Sequence, residues 1–489
     1  MTELPPGWAR TRLGGIAQPV RTSVNPADCP TLPYLGLEHV ETISTKILNV
    51  ASASLVRSTS FRFESGSTLY ARLRPYLNKV CTPDFDGIGS GEFIIFPPSP
   101  FLAHGFLKYL LNQPRFVEFT SALDTGDRPR VNWTGIAGFE VGLPPVSEQK
   151  HIVAAIEEQF SRLDAGVAAL EEGQKKIERM TAAVFATALE GRLVPQNSSE
   201  GDASELVDLA LESRERRMLA AGHRRIPEPL DFVRDGLPPL PGSWKWVSLD
   251  TIAEVVGGIT KDTKKQNAPG LVRVPYLRVA NVQRGYLDLR DVTEIGVRQD
   301  QLAELRLLPG DILFNEGGDR DKLGRGWVWS GQIAPCVHQN HVFRARLYAG
   351  IIDPRLVSWW GNSFGQRWFD TGGKQTTNLA SVSKTTLRSF PIPLPPRQEQ
   401  ARIVGAVLER LELAQRLGET IEQALARAAV LRSSILSAAF SGKLVPQNPN
   451  DEPASVLLER IAAERAASAN GTQPARNRRA QPSLWETPA

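Results

Sequence analysis

One segment of this sequence occurs twice, and the two copies stay in step from end to end. LPPVSEQKHIVAAI (Leu143–Ile156) matches LPPRQEQARIVGAV (Leu394–Val407), 251 residues further on. EGRLVPQN (Glu190–Asn197) matches SGKLVPQN (Ser441–Asn448) at the same offset of 251, so no residue is gained or lost between these anchors. Between them, apolar or small residues fall at Ile156, Phe160, Leu163, Val167, Leu170, Ile177, Val184 and Ala188, and polar Gln174 and Thr181 hold the register where they lapse. The second copy reads Val407, Leu411, Ala414, Ile421, Leu425, Ala428, Ile435 and Ala439. Gaps alternating between four and three residues mark a helix that pairs along one seam. A helix from Gln149 to Glu190 would span roughly 60 Å, too long for an ordinary surface helix. Glu148 in the first turn suits the helix dipole, and Gly191 suits the left-handed position past the end. The chain therefore carries two helices of equal length that can pair with each other.

The segments before the helices also repeat, less strictly. Leu4–Trp8 with Leu13, Ile16 and Ala17 resembles Leu240–Trp244 with Leu249, Ile252 and Ala253. Pro33-Tyr34-Leu35 resembles Pro275-Tyr276-Leu277, Gly66–Tyr70 resembles Gly310–Phe314, and Gly126–Asn132 resembles Gly372–Asn378. The offsets drift from 236 to 246, so loops were inserted here while the helices kept their length. Short β-rich runs such as Glu92–Phe96 and His341–Leu347 alternate with Gly/Pro turns, and each domain has one helix-like segment, Leu102–Leu111 and Arg355–Trp360. The expected fold is α+β: two similar mixed α/β domains separated by a pair of long helices. The first helix must carry the chain to the second domain, so the second must return antiparallel. An approximate two-fold axis follows. The expected boundaries are a first domain over 1–145, a helix over 146–195 and a linker with an amphipathic helix over 196–239. A second domain follows over 240–396, a helix over 397–446 and a C-terminal segment over 447–489. That last segment can serve the first domain as the linker serves the second. Its end, from Ala467, has a disordered composition.

The net charge of +4, from 57 basic and 53 acidic residues, leaves any basic surface to be local. Three widely spaced cysteines (Cys29, Cys81, Cys336) argue against a disulfide framework and for a reducing cytoplasm. The N-terminus lacks an apolar h-region, and no run approaches a membrane span. Motifs for chemistry fail on inspection. Gly373-Lys374 is followed by Gln375 and preceded at the required spacing by Trp368, which breaks a Walker A loop. Cys336, His338 and His341 lack a fourth ligand for zinc, and His338, Gln339 and Asn340 read as a polar strand edge or as base contacts. No lysine lies two residues after Glu92 to complete a nuclease site with Asp84. No Asn/Asp-Pro-Pro-aromatic tetrapeptide of an amino-methyltransferase is present. Trp8 and Trp244 occupy matching places and read as core anchors. Gln174, Gly418 and Arg432 near the seams read as a register device or as marks of a partner's footprint.

Two similar domains on a rigid spacer suit DNA, whose backbone repeats every ~34–36 Å on one face. Domains that differ in sequence imply a split, asymmetric target. In the first domain Arg57, Arg62, Arg72, Arg74 and Lys79 crowd around the Gly66 turn with only Glu64 against them, and Arg128 and Arg130 lie in the loop Thr125–Asn132. In the second, Arg320, Lys322 and Arg325 lie in a Gly-rich loop, and Lys374, Gln375, Thr376, Thr377 and Asn378 form the counterpart of the Arg128–Arg130 loop. Arg reads guanine, Gln and Asn read adenine, Thr methyls pack on thymine, and Lys suits phosphate. Solvated loop charge is the alternative for each residue taken singly; the matched loops favour DNA contact for the regions.

The order of parts, the "PP..EQ..I" helix starts, the "LVPQ" helix ends and the "GDIL" and "GG…TTN" loops resemble the specificity subunit of a type I restriction–modification enzyme. The resemblance covers nearly the whole chain except the tail. Its first domain departs from "GDIL", reading Gly66-Ser-Thr-Leu-Tyr70. The resemblance implies two target-recognition domains, double-stranded DNA as ligand and no catalysis or cofactor in this chain. It further implies two methyltransferase subunits docked on the helices, using S-adenosylmethionine to methylate adenine. A restriction subunit, driven by ATP with Mg, would join for cleavage. The reading from another class is a coiled-coil scaffold presenting two protein- or glycan-binding domains.

Overall fold

In the computed structural model each repeated segment becomes one unbroken helix of 44 residues, Val146–Leu189 and Arg397–Phe440. The structure describes residues 3–123, 126–261, 268–318, 323–372, 374–376 and 379–471. Among them no helix is long and apolar enough to cross a membrane. The chain divides into two units, Met1–Glu171 with Glu422–Ala489, and Glu172–Ile421. Each unit holds one half of either long helix, and within each the halves pair antiparallel. In the first unit, Ile152, Ile156 and Phe160 from the start of the first helix share a core with Ile435, Leu436 and Ala439 from the end of the second. In the second unit, Val184, Ala188 and Leu189 share a core with Ile403, Val404 and Val407.

The second seam follows its heptads, with Gly418 and Arg432 filling the two gaps as partly buried positions. The first seam departs from expectation at one point. Gln174 is exposed and Gly173 takes the inward place, where an added Cβ would stand 3.3 Å from Ile421 Cδ1. A glycine there lets the two helices approach closely.

The repeated motifs at the helix ends have a common physical cause. Glu148 and Glu399 are almost wholly buried, and a buried carboxylate needs donors. Trp8 Nε1 donates to both Glu148 oxygens at 3.0 Å, and Gln447 Nε2 donates to Oε1 at 3.2 Å. In the second unit Trp244 Nε1 donates to Glu399 Oε2 at 2.9 Å and Gln196 Nε2 to Oε1 at 2.5 Å. The tryptophan opening each domain, the glutamate starting each helix and the glutamine of each "LVPQ" thus meet in one clamp per unit. Burial pushes the Glu148 carboxyl up, and the Gln447 and Trp8 hydrogen bonds pull it back. The neighbouring glutamines, Gln149 and Gln400, satisfy loop groups: each takes a backbone N–H, from Ala103 and Asp353, at 2.9 and 3.0 Å.

Each domain opens on a two-stranded ladder that joins its first and last strands, Ala9–Arg12 with Glu140–Leu143 and Lys245–Ser248 with Pro391–Leu394. The first domain adds a five-stranded sheet around Gly87–Ser90 and a three-stranded sheet around Thr68–Ala71. The second adds a four-stranded sheet through Val342–Leu347 and Ile312–Asn315 and a three-stranded sheet around Val272–Leu277. Both domains hold more helix than the single segment expected of each; Pro114–Ser121 and Gln366–Gly372 follow Phe106–Leu110 and Pro354–Trp360.

Helix Ser204–Ala220 covers the start of the second domain. Its Arg214 forms a buried ion pair with Asp250 at 3.2 Å, and Arg388 reaches the other oxygen at 2.7 Å. Helix Ala454–Gly471 takes the equivalent place in the first unit, where Arg465 Nη1 donates to Gly14 O at 2.9 Å. The entries match as well: Ala203 N donates to Ser243 O, and Ala454 N to Gly7 O. The helix runs past Ala467, where sequence composition pointed to disorder, as far as Gly471.

Candidate nucleic-acid interface

In the first domain the two basic segments separated in sequence are stitched together. The chain leaving strand Thr68–Ala71 bridges the later loop at Leu73 and Arg130, with Arg74 N donating to Pro129 O and Val131 N to Arg72 O. Arg72 Nε lies 3.2 Å from Glu92 Oε2, and Arg130 Nη2 lies 2.9 Å from Glu92 Oε1. Glu92, not Glu64, is therefore the acid set against these arginines. Two cations share one carboxylate, which fixes both guanidinium groups and leaves the cluster positive. Arg74 and Arg128 are exposed beside them, and Arg74 has a positive φ of 51°. Arg57 and Arg62 are exposed as well.

Lys79 differs from the rest of the set. Its ammonium donates to Leu37 O at 2.7 Å, so it braces the domain from within. A cleft of about 310 Å³ opens next to Arg72, lined also by Arg21, Phe61 and Trp133. The Arg21 guanidinium sits 4.8 Å over the Phe61 ring. Neither Arg21 nor Trp133 was legible as part of this surface. Arg21 lies far along the chain from the Gly66 turn, and Trp133 stands one residue beyond the loop that was singled out.

The second domain repeats the stitching in a fuller form. Gly317–Gly318 pairs antiparallel with Leu379–Ser381, which pairs in turn with Lys374–Thr376. One three-stranded sheet thus brings together the Gly-rich loop and the counterpart of the Arg128–Arg130 loop. Lys374, Gln375 and Thr376 form one of its two edge strands. Arg325 Nη1 donates to Gln283 Oε1 at 3.1 Å. Arg320, Lys322, Thr377 and Asn378 lie outside the described residues, as does Thr125 in the first domain.

The segment Cys336–His341 does not present one face. His338 is fully buried with Nδ1 2.6 Å from Val342 O, and burial holds its imidazole down to about 4. It cannot contact a base, which corrects the expectation for that residue. Burial pushes the Cys336 thiol up to about 12. His341 is exposed and turns to Glu316 Oε2 at 2.5 Å. Among the described residues no group of three His, Cys, Asp or Glu side chains is gathered as a metal site.

Comparison with known proteins points one way. No family model matches the chain. It is 26% identical over 389 residues to the type I restriction enzyme EcoKI specificity subunit of Escherichia coli (strain K12), covering 76% of this chain and 74% of that protein. It is 25% identical over 474 residues to the EcoDI specificity subunit of Escherichia coli, covering 95% and 97%. Among solved structures, a chain from work on complex assembly and conformational transition of the type I R-M system aligns with a TM-score of 0.66 at 21% identity, over 91% of this chain and all of that one. The duplicated order of parts agrees with these matches: the chain is similar, over three quarters or more of its length, to the specificity subunits of type I restriction–modification enzymes.

Proposed function

We propose that this chain is the DNA-reading component of a type I restriction–modification assembly. Each domain reads one half of a bipartite, asymmetric site, and the paired helices set the distance between the halves. The first domain reads with the surface around Arg72, Arg74, Arg128 and Arg130. The second reads with the small sheet that carries Lys374–Thr376 and with the loop that holds Arg320, Lys322 and Arg325. The observation that carries this reading is the duplication itself. In each domain two segments far apart in sequence are joined by backbone pairing, Leu73 with Arg130 in the first and Gly317–Gly318 with Leu379–Ser381 in the second, and each domain is clamped to the start of a helix of fixed length. A scaffold would need the clamps and the helices but not the repeated joining of segments rich in basic residues.

In this reading the chain performs no chemistry. Two methyltransferase subunits dock on the helices and modify adenine with S-adenosylmethionine, flipping the base out of the duplex. A restriction subunit that uses ATP and Mg joins for cleavage. The chain purified with its methyltransferase subunit should shift duplex DNA containing a split site in the presence of excess competitor DNA. Equal binding to all duplexes would refute sequence reading, and absence of binding would refute DNA as the ligand.

A further inference from the structure

The hairpins Val40–Ile47 and Val282–Leu287 occupy the same place in their domains. Each follows a strand paired in parallel with a later one (Tyr34 with Ile88, Tyr276 with Val337) and a single 3-10 turn (Leu37–His39, Val279–Asn281). The first hairpin is two residues longer. The extra length lies at the tip, where Ile43 and Thr45 have φ of 68° and 66°. β-branched residues avoid that region, so the surroundings must hold the tip in place. Asn112 Nδ2 donates to Ile43 O at 2.9 Å, and Ile43 N to Asn78 O at 3.2 Å.

The tip reaches the long helices. Lys46 Nζ lies 2.7 Å from Asp164 Oδ2 on the first helix. The other Asp164 oxygen accepts from Arg432 on the second helix, whose guanidinium lies 4.2 Å over the Phe160 ring. Arg432 stands in the seam with its side chain only 15% exposed. One carboxylate thus joins the domain and both helices, beside a cleft of about 460 Å³ that the same three residues help to line.

The internal repeat supplies a control. At the offset of 251, Gln415 stands where Asp164 does and Thr181 where Arg432 does. Gln415 bonds Glu419 on its own helix, and Thr181 bonds Ile177 O on its own helix, both at 2.9 Å. At the tip of the shorter hairpin, Arg284 turns to Asn362 O of its own domain. Among the described residues the second unit has no counterpart to the triad.

We propose that Asp164 is a positioning residue. Through Lys46 and Arg432 it clasps the first domain to the helix pair and fixes the angle at which that domain meets DNA; the second domain, with no such clasp among its described residues, adjusts. The clasp stands on geometry alone, and its effect on DNA rests on the reading given above. In the full chain, Asp164→Asn should speed amide exchange at residues 43–46 about fivefold, the scale of a partly exposed ion pair. Lys46→Gln, which removes one exposed arm, should act in the same direction, and Gln415→Ala should leave both hairpins unchanged. With the methyltransferase subunit present, Asp164→Asn should also reduce discrimination against sites whose spacer is one base pair too long or too short. Unchanged exchange at 43–46 in both variants overturns the clasp. Faster exchange with unchanged spacer discrimination overturns its positioning role. Wild-type protein without any split-site preference refutes the DNA reading instead, and the exchange result then decides the clasp.

Discussion

Replacing Trp8 by Phe isolates one bond of the clamp that joins the first domain to its helix. The indole N–H lies 3.0 Å from both oxygens of Glu148, a carboxylate only 2% exposed. Phe keeps an aromatic ring but removes the donor, leaving Glu148 with the hydrogen bond from Gln447 Nε2. A hydrogen bond to a charged group contributes ~2 kcal/mol, so the local opening equilibrium should rise about 30-fold. Hydrogen exchange of the amides at 149–156, read by mass spectrometry, measures this directly. The loss of ring volume is separated by repeating the change in a Glu148→Gln background, where a neutral acceptor should reduce the effect to ~1 kcal/mol. The pH dependence has a definite sign. Glu148 has a folded pKa above its ordinary value, so the carboxylate that needs the donor is present at high pH and disappears as pH falls through that raised value. The Trp8→Phe defect should therefore shrink as pH falls through that raised value. The matching change, Trp244→Phe, should open residues 401–407 because Trp244 Nε1 donates to Glu399 Oε2 at 2.9 Å. Exchange at 149–156 that stays within about twofold of wild type in Trp8→Phe would refute the reasoning, since the structure gives that N–H one acceptor group.

Three further outcomes follow from the same geometry. Asp250→Asn should destabilise the second unit by ~3–5 kcal/mol, because it strips the partner from Arg214, whose side chain is 5% exposed; urea unfolding with and without the change measures it. His338 is neutral in the folded chain down to about 4 against an ordinary 6.5, so its contribution is complete above 6.5 and is lost as pH falls towards 4. The loss approaches ~3 kcal/mol, and His338→Gln should flatten the acid limb of a stability titration. Arg128→Ala should lower the slope of log affinity for DNA against log salt by ~1, if its exposed guanidinium meets phosphate. Lys79→Ala should leave that slope unchanged and cost ~1 kcal/mol of stability through its lost bond to Leu37 O.

The helices were legible because a period of seven is local information. The second copy repeats it at all but the Gly418 and Arg432 positions, and the burial of Val407, Ala414, Ile435 and Ala439 follows. Gly173 was not legible, because a glycine adds nothing to an apolar pattern and its importance lies in how close Ile421 comes. The repeated Glu-Gln and Leu-Val-Pro-Gln motifs stood out as signals of kinship, yet their role lies in contacts between residues far apart in the chain. Glu148 meets Gln447 across 299 positions and Trp8 across 140. The basic loops were found as regions from charge and glycine content, but composition cannot assign partners. Arg72 and Arg130 meet Glu92 from 20 and 38 residues away, Lys79 turns inward, and His338 enters a core strand. Charge pattern identifies which segments can carry function; the pairing of strands decides which side chains face outward.

The most direct test is a map of the adenines methylated by this chain with its methyltransferase subunit, before and after residues 1–145 are exchanged for another reader. The account predicts a split, asymmetric motif with a spacer of fixed length, in which the exchange rewrites one word and leaves the other word and the spacer unchanged. A contiguous motif, or an exchange that alters both words, would contradict it.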